Sequence, residues 1–173
     1  MERAKELFLY YCGNQYFMDL NGDGNEYRGY QISQEKEEEW RREYLDRFLQ
    51  QKRYGREAFG AYAKAVEFLR SDEDGQNYLY YPFRTDGLDD VTILFMLPYS
   101  YKLAEKQKAA DRLSKEETRD YLSVLDDYIR NVQKRVEDGT VTRAEDYTWN
   151  EFSDPAYVET YLKDLRQDWE RLA

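Results

Sequence analysis

Between Ser114 and Gly139 the chain carries a helix signal that leaves little room for another fold. Ser114 and Glu117 form an S-x-x-E capping box, and Tyr121, Leu125, Tyr128, Val132 and Val136 follow at steps of 4, 3, 4 and 4 before Gly139 closes the run. A helix over about 115–138 follows, amphipathic along its length. The same pattern recurs elsewhere. Ser33 stands as an N-cap before Glu35 and Glu37 to Glu39, whose charge suits a helix start, and Trp40, Tyr44 and Phe48 recur every fourth residue, so 34–52 reads as helix. Phe59, Tyr62, Ala63, Val66 and Leu69 mark a helix of about 56–70, and Gly55 separates it from the one before. Ser153 or Asp154 caps Pro155, and Val158, Tyr161, Leu162, Leu165, Trp169 and Leu172 carry a final helix to the C-terminus.

Two stretches are less direct. Ala4, Leu7, Phe8, Tyr11 and Met18 suggest a first helix over about 2–18, with Gly13-Asn14 offering an end near Cys12 and a restart through Tyr16-Phe17-Met18. The run Val91 to Leu97 fits a buried strand or a buried helix. Leu94, Leu97, Tyr101 and Ala104 continue the helical spacing past Pro98, and Asp89 or Asp90 can cap the start, which favours a helix of about 90–112 kinked at the proline. The alternative is a strand paired with 78–81. Glycines in 19–32 and the turn residues and Pro82 in 71–89 read as two long loops. The expected architecture is all-α: a single domain over 1–173, a bundle of five to six helices with loops at about 19–32 and 71–89.

Composition fits such a bundle. Of the residues, 36% are charged, which without aromatics would point to disorder, but 17% are aromatic and 18 are tyrosine. Rings with polar tips replace much of the usual aliphatic burial, so many tyrosines are expected to be half buried. Cys12 is the one cysteine, which excludes a disulfide within the chain and suits a reducing compartment. No stretch resembles a signal-peptide core with its flanks, and charge or glycine interrupts every apolar run well short of the ~18 residues of a span. A cytoplasmic location is the expectation.

The most suggestive chemistry lies in Asp19-Leu-Asn-Gly-Asp-Gly-Asn-Glu-Tyr27. Asp19, Asn21, Asp23 and Gly24 match the first half of the calcium-loop pattern D-x-[DN]-x-[DN]-G and so resemble an EF-hand or dockerin loop. The twelfth position, which needs a bidentate carboxylate, is Tyr30, and the eighth, normally aliphatic, is Glu26. The preferred reading is a turn built on Asn-Gly and Asp-Gly. The alternative is calcium or magnesium held by Asp19, Asn21, Asp23 and Glu26.

There is no histidine, which removes Ser-His and Cys-His nucleophile pairs, imidazole bases and His-ligated zinc or di-iron sites. Cys12 thereby lacks its customary activator and reads as a small packed residue. Glu35, Glu38, Glu39, Glu43 and Asp46 resemble the E-x-x-E and E-x-x-D pairs of all-helical nucleotide pyrophosphatases, over less than a tenth of the chain and within one helix where that family uses two. A magnesium-dependent nucleotide-processing enzyme is the reading this implies; a solvated acidic face explains the same residues, and no catalytic residue is assigned.

A net charge of −10 repels nucleic acid and anionic lipid and favours a basic partner. The leading expectation is an acidic, tyrosine-rich interaction protein of regulatory or immunity type, meeting its partner through Tyr27, Tyr30, Tyr78, Tyr80 and Tyr81; an aromatic-rich core capped by hydrogen-bonded hydroxyls accounts for the tyrosine cluster as well.

Overall fold

The structure is a computed structural model describing residues 1–147, 152 and 154–172, which form ten helices and no strand. Ten replaces the expected five or six because the expected first helix divides in two and both expected loops contain short helices. Those helices are too short to show a period in sequence. The chain groups into two compact units: Met1–Gln51 with Glu67–Leu69, and Lys52–Val66 with Arg70–Ala173.

The first unit holds α1 (Glu2–Tyr10), α2 (Gln15–Leu20), α3 (Gly24–Gly29) and α4 (Gln34–Gln50). The predicted break is real: Cys12 and Gly13 take left-handed φ values of 51° and 70°, and the Asn14 side chain restarts the helix by accepting from the Phe17 N–H. Ser33 caps α4 as expected, accepting from the Lys36 N–H. The 19–32 segment is corrected from loop to the end of α2 plus α3. Ala4, Leu7, Phe8, Met18, Tyr27, Trp40 and Phe48 are buried, and Phe8 meets Trp40 and Phe68 with ring centroids 5.7 and 5.6 Å apart. Arg41 is buried too. Its guanidinium donates to the Phe68 carbonyl at 2.9 Å and pairs with Glu38 at 2.7 Å, so the charge is compensated where it sits.

The second unit is organised around α8 (Asp90–Ala109), which is buried on most of its circumference. It is a helix, and the strand alternative for 91–97 is discarded; Asp89 caps it by accepting from the Thr92 N–H. Residues 71–89 contain two four-residue helices, α6 (Gln76–Leu79) and α7 (Tyr81–Arg84), where extended chain was expected. Around α8 stand α5 (Gly55–Phe68, whose last residues group with the first unit), α9 (Lys115–Asp138) and α10 (Pro155–Glu170). The Ser114–Glu117 capping box forms with both of its bonds, and Gly139 ends α9 at φ 68°, a left-handed geometry that glycine adopts without a Cβ penalty. Asp154 caps α10, and Ser153 lies outside the described residues.

Pro98 sits inside α8 and deprives the Leu94 carbonyl of the N–H four residues on. That carbonyl instead accepts the Tyr161 hydroxyl of α10 at 2.5 Å. A helix break is thus avoided by a side chain 67 residues away. Tyr161→Phe is expected to destabilise the protein by roughly 1–3 kcal/mol, the cost of an orphaned buried carbonyl. In a Pro98→Ala background, which restores the backbone donor, the same change is expected to cost less; urea denaturation of the four proteins in a double-mutant cycle measures the difference.

Candidate functional site

The four residues of the calcium-like motif do not converge. The Asp19 carboxylate accepts from Arg28 at 2.6 Å and from Gln15, Asp23 accepts the Tyr11 hydroxyl at 2.6 Å, and Glu26 accepts from Arg3 at 3.2 Å and from the Tyr30 hydroxyl at 3.0 Å. Asn21 caps the end of α2, its side-chain amide donating to the Phe17 carbonyl. The Asp23 contact holds the Tyr11 phenol protonated up to about 12. Gly24 serves close packing: a Cβ there would overlap the Asp19 carboxylate. Among the described residues, no group of three or more acidic or cysteine side chains is placed to hold a metal ion. The Arg28–Asp19 pair fastens α3 to α2.

Glu38, Glu39 and Glu43 of α4 are similarly engaged. Glu38 pairs with Arg41 and Arg42, Glu39 with Lys36, and Glu43 with Arg47 and Lys5, the Lys5 bond lowering the Glu43 carboxyl. These contacts lie along α4 and its neighbour α1. Cys12 is half-buried at the turn after α1, its thiol 3.9 Å from the Leu9 carbonyl.

Burial corrects most of the tyrosine expectation. Tyr27, Tyr78, Tyr80 and Tyr81 are all less than 8% exposed and so have little surface to offer a partner; Tyr30 retains 37%. Tyr27 is held by burial and by donating to Glu37 at 2.5 Å, which together raise its phenol. Tyr80 carries the Arg84 guanidinium 4.1 Å from its ring centre, and Tyr81 stacks on Tyr62.

The first unit does expose other large side chains, of which Tyr10 and Tyr16 belong to the tyrosine cluster that the sequence shows around its glycine-rich segment and Phe17 and Leu20 do not. Tyr10, Tyr16 and Leu20 are 68, 68 and 67% exposed and Phe17 is 49% exposed. Tyr16, Phe17 and Leu20 share α2, where Leu20 lies one turn beyond the other two, and Met18 alone of that helix is buried. Tyr16 and Phe17 meet edge to face at 5.5 Å. The Gly13-Asn14 break was the available clue: restarting the helix there resets which side faces inward.

No family model matches the chain, and no curated protein or solved structure is significantly similar to it. No described helix is long and apolar enough to cross a membrane.

Proposed function

We propose that this chain is a cytoplasmic protein-interaction module of regulatory or immunity type. Its contact surface is the apolar group of Tyr16, Phe17 and Leu20 on α2, with Tyr10 at the end of α1. One observation carries this reading: three large apolar side chains stand more than two-thirds exposed within an eleven-residue stretch, and Phe17 between them is half exposed. A folded chain rarely leaves aromatic side chains in water in such a group unless another surface covers them, and aromatic anchors dominate binding energy at interfaces. The helix that presents them is braced by the Asn14 cap and the Arg28–Asp19 pair, so little ordering cost attends docking. The net charge of −10 selects a basic partner and speeds the encounter.

The test is affinity capture from native lysate with the wild-type chain and with Tyr16→Ser/Phe17→Ser/Leu20→Ser. A basic protein retained by the wild type and lost by the variant is the expected result. The substitutions lie on exposed positions and are expected to change folding stability by no more than about 0.5 kcal/mol each, so the variant remains a folded control. Equal retention of the same proteins by both chains, or no retained protein at all, overturns the reading.

A further inference from the structure

The connection after α9, residues 139–147, has little regular structure yet is fastened at three points within the second unit. Asp90, 5% exposed, accepts two bonds from Arg135 at 2.7 and 2.9 Å and one from the Thr142 N–H at 3.0 Å, while its own N–H donates to the Thr142 hydroxyl at 2.8 Å. Asp146 accepts from the Arg56 N–H at 2.9 Å. Tyr147 shares a 2.9 Å hydrogen bond with Thr92 and stacks on Phe95. A loop held this firmly presents its free side chains in a fixed place, which is the property of a preorganised site.

Among its exposed side chains is Arg143. It follows the clamped Thr142, is exposed, and has no hydrogen-bond or ion-pair partner among the described residues. It borders a hollow of about 450 Å³ walled by Val91, Val136, Val141, Phe152 and Pro155. Val136 and Pro155 also wall a second hollow of about 410 Å³, floored by the buried Val158 and Leu162 and flanked by Glu137 and Glu159. Both glutamates are exposed and also lack a partner among the described residues. Each volume falls in the ~300–1,000 Å³ range of ligand sites. Val136 is the last member of the α9 apolar row, and it leaves the core to join these hollows.

We propose that the two adjoining hollows form one groove for an extended peptide segment of a partner protein. The segment sets a carboxylate against Arg143, an apolar side chain over Val136 and Pro155, and a Lys or Arg side chain between Glu137 and Glu159. Charge selects this occupant. Among the described residues, a cation without a partner stands at one end of an apolar floor and two carboxylates without partners at the other, so a purely apolar, purely acidic or purely basic ligand leaves one end unpaired. The lysine or arginine stem covers the Val158 and Leu162 floor while its head reaches the glutamates. The groove belongs to the second unit and is independent of the α2 surface.

The test is selection from a random heptapeptide phage library on the immobilised full-length chain carrying Tyr16→Ser/Phe17→Ser/Leu20→Ser, which removes α2 as a competing site. Selected sequences are expected to pair one acidic with one basic residue across an apolar one. Adding Arg143→Gln is expected to abolish the preference for the acidic residue, and adding Glu137→Gln/Glu159→Gln the preference for the basic one, with at least a tenfold loss of affinity for the parent peptide. All three positions are exposed, so folding is retained. No enrichment, or enrichment that both variants leave unchanged, overturns the proposal. So does 6-aminohexanoate competing at micromolar concentration, which would mark a site for a small zwitterion instead.

Discussion

Arg135→Leu is expected to destabilise the protein by about 3 kcal/mol, the lower end of what removing one partner from a buried ion pair costs, because a third of the Arg135 side chain still reaches solvent. The substitution leaves the buried Asp90 carboxylate with the Thr142 N–H and a long, 3.4 Å bond from the Tyr128 hydroxyl, and frees the 139–147 connection. Its effect has a pH signature. Burial pushes the Asp90 carboxyl upward, but the Arg135 guanidinium and the Thr142 N–H outweigh it and hold the group below the ordinary carboxylate value. The unfolded chain then binds this proton more readily than the folded one. The clamp's contribution is therefore complete above the unfolded value, near 4, and disappears as pH falls through the lower folded value. Guanidinium denaturation from pH 7 to pH 3 should show wild-type stability declining in acid, and Asp90→Asn should show a lower plateau with a shallower acid limb. Identical acid limbs would mean that the clamp does not fasten the loop.

Tyr62→Ala should cost about 3–5 kcal/mol, since the ring is fully buried on α5 and stacks on Tyr81. Tyr62→Phe separates the hydroxyl from the ring. That hydroxyl donates to the Tyr78 carbonyl at 2.9 Å, and Ser100 donates to the Leu79 carbonyl at 2.9 Å while sharing a 2.6 Å bond with Tyr121. A four-residue helix cannot satisfy its own last carbonyls, so α6 takes donors from α5 and α8. Tyr62→Phe should therefore cost roughly 1–3 kcal/mol and release the amides around Tyr78 to hydrogen exchange. A cost below about 0.5 kcal/mol with protection intact would show that α6 needs no such donor.

The short helices explain where sequence reading fell short. The six residues of α3 and the four each of α6 and α7 hold less than two turns, too few for periodicity to register and too few to be stable alone. The α3 segment depends on Arg28 reaching Asp19, and α6 on Tyr62 and Ser100. The partners of the calcium-like motif were hidden for a related reason. Asp19 and Glu26 pair with Arg28 and Arg3, and Asp23 accepts the Tyr11 hydroxyl, and no pattern in the motif names those partners.

The candidate surfaces were legible in part. Asp89 and Asp90 both stood out as caps for α8; Asp89 fills that role, and the neighbouring carboxylate turned out to clamp Arg135 and Thr142. The tyrosine expectation differs from the observed exposure. Tyr78, Tyr80 and Tyr81 are covered, whereas Tyr10 and Tyr16 are open.

By itself the sequence determined that this chain is helical and where its long helices begin and end. Caps such as Ser33, Asp89 and the Ser114–Glu117 box act on backbone groups within three residues, and apolar spacing is a local property of the helix. Only the tertiary structure decided which tyrosines are buried, which carboxylates are paired, and how α8 survives Pro98. Those outcomes hang on groups brought together from distant positions, as Tyr161 is to Leu94 or Arg135 to Asp90, and a ring or a carboxylate looks the same in sequence whether or not its partner arrives.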